Sequence, residues 1–158
     1  MGLQSLDYVR LISWIAYNKH NTILNKTQMQ KLLFMCYGVY LTKHEEPLFT
    51  DDTPKAWPFG PVFPRSYRRY MEIIPSDLTT EDKSNFLKDR DMLIEITHIV
   101  DSYYSYSANT LSEWSHQKDS PWATTVFSNG DNSVEWNKVI SDDVIREYFK
   151  SGKWKQGL

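Results

Sequence analysis

Cysteine is nearly absent from this sequence. The single thiol among 158 residues, Cys36, excludes an internal disulfide and any cysteine-rich metal site, and it suits a reducing compartment. Long apolar runs are missing too, since none approaches the ~20 residues of a membrane-spanning helix. Nor is there an excess of one charge. The 18 basic and 20 acidic side chains leave a net −2, so no general field draws the chain toward nucleic acid or an anionic membrane. Nucleic acid and membrane are therefore not expected as partners. The six glycines are too dispersed to cradle a phosphate. His20, His44, His98 and His116 contain no i, i+4 pair of the kind a zinc helix uses. No metal or cofactor is expected. The N-terminus shows no basic region leading into an apolar block, and the expected location is cytoplasmic.

Aromatic residues, by contrast, are abundant. They make up 15% of the chain, and apolar residues 41%, which is not the composition of a disordered segment. The length suits one domain with a real core. A single domain is expected over 1–158, its core spanning about 5–150 and its Lys-rich end at 153–158 frayed.

The chain is organised around Ala56 to Tyr70, Ala-Trp-Pro-Phe-Gly-Pro-Val-Phe-Pro-Arg-Ser-Tyr-Arg-Arg-Tyr. Pro58, Pro61 and Pro64 each lack an amide donor and restrict the residue before them. Helix and central strand are excluded up to Pro64. The stretch is nevertheless too apolar for a solvent loop. It predicts a rigid turn with Trp57, Phe59 and Val62 buried against the second helix. A third helix then starts at Pro64, which suits a first helical position. In that helix Tyr67, Tyr70 and Met71 share a face, Arg65, Arg68 and Arg69 lie off it, and Pro75 ends it.

Periodicity places the other helices. Tyr8, Leu11, Ile12 and Ile15 mark a first helix from a Ser5 cap to about Asn18. Thr27 and Gln30 form a capping-box pattern for a second. That helix is apolar over most of its girth and should be central. Gly38 inside it implies close approach by another element. Leu48-Phe49 and Lys55–Trp57 suggest a small hairpin, and 76–84 a surface loop. A fourth helix runs from about Phe86 to Tyr104. Ser107 caps a fifth carrying Leu111 and Trp114, and Asp119-Ser120-Pro121 makes a turn before Trp122. Asn129-Gly130-Asp131-Asn132 is a turn signal, Val134 to Ile140 is extended, and Ser141 opens a last helix closed by Gly152. In it Val144, Ile145, Tyr148 and Phe149 are buried. The fold class is mainly α, about six helices with a small β element.

Three blocks in this order resemble a known family. The first is Lys31-Leu32-Leu33-Phe34 with Tyr37, Gly38 and Tyr40-Leu41. The second is Pro47-Leu48-Phe49 followed by Ala56-Trp57-Pro58-Phe59-Gly60-Pro61-Val62 and Tyr67. The third is Leu111-Ser112-Glu113-Trp114-Ser115-His116 with Ser120-Pro121-Trp122. Together they resemble the Panacea, or SocA-like antitoxin, domain, which includes the GepA-like phage-associated proteins. The resemblance covers about residues 5 to 150. It implies a mostly helical domain that neutralises a bacterial toxin by protein contact, in one mode by delivering the toxin to a protease, and it carries over no catalytic residue. The chain departs from the commoner pattern at Trp114, where a Leu or similar residue is usual, at Ser115 in place of Thr, and at Pro58 in place of a polar residue.

Other residue patterns admit plain readings. Asp51 and Asp52, adjacent in an extended segment, point to opposite faces and read as a solvated turn rather than an acid–base pair. Ser115-His116 has no nucleophile-elbow context, so His116 is expected to bond a backbone carbonyl and lock the following turn. Cys36 lies on an apolar stripe as a buried thiol. Arg65, Arg68 and Arg69, interleaved with Tyr67 and Tyr70, are the candidate partner-binding face. Trp14, Trp136 and Trp154 are candidates for partial exposure. The reading is a non-catalytic antitoxin bound to a cognate protein toxin. The alternatives are an adaptor that brings a toxin to a protease, for which the 153–158 tail is the available tether, and a phage-encoded modulator of a host protein.

Overall fold

The computed structural model describes residues 2–128, 134–156 and 158. Among them are eight α-helices and a three-stranded antiparallel sheet in one compact domain. The helices are α1 (Ser5–His20), α2 (Lys26–His44), α3 (Pro64–Arg69), α4 (Thr80–Leu87), α5 (Arg90–Tyr103), α6 (Ala108–Ser115), α7 (Pro121–Val126) and α8 (Asp142–Ser151). The strands are β1 (Lys55–Trp57), β2 (Gly60–Val62) and β3 (Lys138–Val139), in the order β2-β1-β3. The class is the expected one, with two more helices than the six expected. The additions are α4, which begins in the expected surface loop and takes Phe86 and Leu87 from the start of the expected fourth helix, and α7, which the Ser120 cap and Pro121 start where only a turn was read. The expected turn at 129–132 lies outside the described residues. Among the described residues no helix is long and apolar enough to cross a membrane.

Helix α2 is the axis of the core. Every residue from Met29 to Gly38 is buried, and the helix packs against α1, α5, α6, α8 and β2. A helix surrounded on all sides needs apolar residues on all sides. Gly38 explains itself here. A Cβ at this position would fall inside 3.0 Å of the Phe149 ring on α8. Phe149 in turn sits edge-on to Phe34, with ring centroids 5.9 Å apart. The interior continues through Phe63, Phe49 and Tyr37, whose rings lie 5.1 to 5.3 Å apart.

Several boundaries differ from the sequence reading. Gln4, not Ser5, caps α1, because Asp7 closes a capping box with it. Ser5 is instead the first helical residue and gives its amide and hydroxyl to Asp51. Asn25 and Gln28, not Thr27 and Gln30, form the box of α2. Gln30 is required in the core, where its carbonyl accepts from the Phe63 amide at 2.8 Å and its amide donates to Ser66. Helix α3 stops at Arg69 and tightens into a 3-10 turn, Tyr70–Glu72, well before Pro75. Met71, expected on one helix face with Tyr67 and Tyr70, falls in that turn and is exposed. Val144 is half-buried, while Ile145, Tyr148 and Phe149 are buried as expected. The 153–158 end is not frayed throughout. A 3-10 turn, Lys153–Lys155, places Trp154 in the core, where it meets Phe149 and Tyr103 and its carbonyl accepts from Trp114 Nε1 at 2.6 Å.

Candidate interaction site

The proline-rich stretch forms a hairpin unlike the one expected. Lys55–Trp57 pairs forward with Gly60–Val62, in the register Lys55↔Val62, Ala56↔Pro61 and Trp57↔Gly60. Leu48 and Phe49 are buried outside the sheet. The prolines permit this arrangement because β2 is an edge strand, where a missing donor is tolerated. On its other side β1 pairs with β3. Only Pro58 and Phe59 remain in the loop. Phe59 therefore lies at the tip, 70% exposed, contrary to its expected burial. Trp57 is half-buried, not fully buried, and its ring meets Tyr67 edge-on at 5.2 Å. Val62 is buried as expected.

Side chains from three other parts of the chain hold this hairpin by its carbonyls. Lys31 Nζ, from α2, donates to the Pro61 carbonyl at 3.2 Å. Trp122 Nε1, from α7, donates to the Trp57 carbonyl at 2.7 Å. His116, at the C-terminus of α6, lies against the Pro58 carbonyl, which favours a proton on the ring. Its ring also packs on Trp122 with centroids 4.0 Å apart. The role expected of it is to lock the following turn; the carbonyl beside the ring belongs to the hairpin instead. Gly60 makes the close seating possible. Its φ of +113° favours glycine, and a Cβ there would collide with Ser115 Oγ and Lys31 Cε. The Ser at 115 and the Pro at 58 both belong to this contact, and Trp114 is the residue that docks the tail.

The electrostatics of the clamp are unusual. Lys31 is 1% exposed, and burial pushes its ammonium down to about 7. His116 is also lowered, first by burial and then by the Lys31 charge. Its Nε2 is buried without a hydrogen-bond partner among the described residues. Both groups are thus driven toward the neutral form.

The structure brings together Lys31, Trp57, Gly60, Pro61, His116 and Trp122. Pro121 supports Trp122 as the first residue of α7. Leu32, Leu33 and Leu111 are core residues. Tyr37 is buried too, its hydroxyl donating to Asp142 at 2.7 Å.

The arginines separate. Arg65, Arg68 and Arg69 are all exposed, but two are already engaged. Arg65 faces Asp51 at 3.6 Å and also reaches Gln4. Arg69 makes two hydrogen bonds to Glu72. Arg68 has no carboxylate partner among the described residues. The carboxylates of the expected solvated turn are structural as well. Asp51 holds the start of α1, and Asp52 is buried with its two oxygens accepting from the Arg65 and Ser66 amides at the start of α3. The backbone bends at both residues rather than running extended, and both carboxylates reach Arg65, Asp51 its side chain and Asp52 its amide. A cleft of about 290 Å³ nearby is lined by Phe49, Asp52 and Asp142, whose carboxylates are committed to Arg65, Ser66 and Tyr37.

Beside the hairpin lie residues that the sequence reading left aside. Lys26 Nζ sits 4.6 Å above the Tyr67 ring. Lys55 shares the outward face of β1 with Trp57, since Ala56 between them points to the core. Asn137 accepts from Trp57 Nε1 at 3.0 Å. Trp136, exposed as expected, lies 6.0 Å from Trp122, and Trp14 is half-buried. The signal for Lys55 was present in the alternation of Lys55-Ala56-Trp57. Lys26 had none, because its neighbour Tyr67 is distant in sequence.

Comparison with known proteins gives two matches. The family model described as antitoxin SocA-like, Panacea domain, matches residues 29–123. The chain is also similar to antitoxin SocA of Caulobacter vibrioides (strain NA1000 / CB15N). The two are 27% identical over 141 residues, which cover 82% of this chain and 74% of the relative. No solved structure matches.

Proposed function

Because this chain belongs to the antitoxin SocA-like, Panacea domain family, we propose that it is a non-catalytic antitoxin that binds a protein toxin directly and inactivates it by covering its working surface. The observation that carries the reading is the extent of the family match. Residues 29–123 include all but the first three residues of α2, the whole hairpin, α6 and the start of α7, so they contain Lys31, His116 and Trp122, the side chains set against the hairpin carbonyls. What this machinery does is hold a short loop rigid while leaving Phe59 in solvent. A pre-organised aromatic ring loses little freedom when a partner covers it. Arg68 and the neighbouring Arg65 and Arg69 on α3 contribute to the same contact, Arg68 most directly because it has no carboxylate partner among the described residues.

Co-expression tests this reading. The chain is produced together with the product of the reading frame beside its own, in cells with and without their ATP-dependent proteases. A stoichiometric antitoxin restores growth in both backgrounds. Rescue confined to protease-proficient cells would replace direct inactivation by delivery for degradation. Failure to rescue in either background would remove the antitoxin reading and favour a host protein as the target.

A further inference from the structure

We propose that the outward face of the hairpin, with Phe59 at its tip and Lys26, Lys55 and Arg68 beside it, is the docking surface for an acidic segment of the partner with an apolar side chain at its centre. The inference rests on the antitoxin reading for the partner's identity and on the geometry below for its chemistry.

The apolar part is contiguous. Trp57 touches Tyr67 on one side and bonds Asn137 on the other. Trp136 follows through Trp122, whose indole bonds the Trp57 carbonyl. Phe59 stands two residues beyond Trp57, 70% exposed. On β3, Val139 is exposed opposite Lys55. Exposed rings and aliphatic groups gathered on one small sheet are unlike the single scattered apolar residues of an ordinary surface.

The charges decide the occupant. Some cations of this chain are spent internally: Arg10 on Asp82, Lys19 on Asp101, Lys43 on Glu95, Arg65 on Asp51 and Arg69 on Glu72. Three cations beside the hairpin are free of such pairing among the described residues. Lys26, Lys55 and Arg68 have no carboxylate partner among the described residues, although the whole chain is acidic by two charges. Unpaired cations at the rim of an aromatic centre suit carboxylates around an apolar anchor, the arrangement of a polar rim about a hot spot. The same cations repel a basic segment.

The test uses a defined probe. The full-length chain, labelled with 15N, is titrated with the peptide acetyl-Asp-Glu-Asp-Leu-Phe-Asp-Glu-amide and, separately, with its counterpart carrying Lys at every acidic position. The acidic peptide should shift amide signals of the hairpin and of Tyr67 and Arg68, and its binding should weaken with salt. The double variant Lys55→Glu/Arg68→Glu should lower affinity about tenfold or more. Phe59→Ala should lower it without altering the spectrum elsewhere, which keeps the test decisive if the charge variant folds poorly. Equal binding of the lysine peptide, shifts confined to another face, or no shifts at all would overturn the proposal. So would tighter binding of a single-stranded oligonucleotide at the hairpin. Growth rescue separates the two readings. A chain that rescues but ignores the acidic peptide is an antitoxin with another docking face. A chain that binds the peptide at the hairpin but never rescues keeps the surface and loses the antitoxin role.

Discussion

Lys31 is a base held in the interior by one carbonyl. Its folded pKa of about 7 lies well below its ordinary value of 10.5. Above pH 7 the folded state has released this proton while the unfolded chain keeps it, so the unfolded state binds more protons and stability rises with pH. The parent should gain roughly 2–3 kcal/mol between pH 7 and pH 9 from this group, with the gain completed near 10.5. Lys31→Met should remove that slope. Urea unfolding of both proteins at pH 7 and pH 9 measures the difference, and parallel curves would show that the amine is not desolvated. His116 acts in the same direction at lower pH. Its folded pKa is depressed, so its neutral form stabilises the fold above the unfolded value, and that stability is lost as pH falls through the folded value. Phe59 is the contrasting residue. As an exposed tip ring, Phe59→Ala should change stability by no more than about 0.5 kcal/mol, a result that full burial would not allow.

Elements meet through contacts that no local pattern announces. Helices α2 and α8 touch where Gly38 faces Phe149, whose ring is fixed among Phe34, Tyr148 and Trp154. Gly38→Ala should therefore destabilise the protein by about 1–3 kcal/mol through overpacking. Phe149→Leu should recover part of that loss in the double variant, as a denaturant melt of all four proteins would show. The end of the chain is a second case. Trp154 is 7% exposed, and its carbonyl receives the Trp114 indole. Trp154→Ala should cost about 3–5 kcal/mol, whereas a frayed tail would melt like the parent. A tether to a protease would have to begin beyond this anchored turn. Burial of Trp154 was not legible because its partners, Tyr103, Trp114 and Phe149, come from three separate helices. The helix stripes of α1, α2, α5 and α8 were legible, since each repeats every three or four residues. Helix starts were less so. The run from Asn25 to Gln30 contains two overlapping box patterns, and only the tertiary demand for Gln30 at Phe63 decides between them.

At the scale of the whole molecule, the three sequence blocks that resembled the family are the three parts that meet at the hairpin. Order along the chain revealed the blocks; folding reveals why they occur together. Lys31 is distant in sequence from His116 and Trp122, and the three converge on carbonyls within five residues of one another, Trp57, Pro58 and Pro61. The prolines marked this stretch as rigid, but not which rings face inward. Tertiary packing decided that: Ala56 and Val62 are both buried although the register sets them on opposite faces, and Phe59, in the loop between the paired residues, is left in solvent. The cationic face was only partly legible, because the engagement of Arg65 and Arg69 depends on Asp51 and Glu72 being placed beside them. One consequence follows for mutagenesis. Arg65→Glu places two acids together at the start of α1 and is not a neutral surface change, whereas Arg68→Glu is. The central claim is direct, stoichiometric inactivation of a protein toxin. Native mass spectrometry of the purified chain mixed with the neighbouring gene product, with toxin activity assayed in the same sample, tests it most directly. The account predicts a complex of fixed ratio in which toxin activity is abolished with no protease present. An inactive mixture containing no complex, or a complex with full toxin activity, would contradict it.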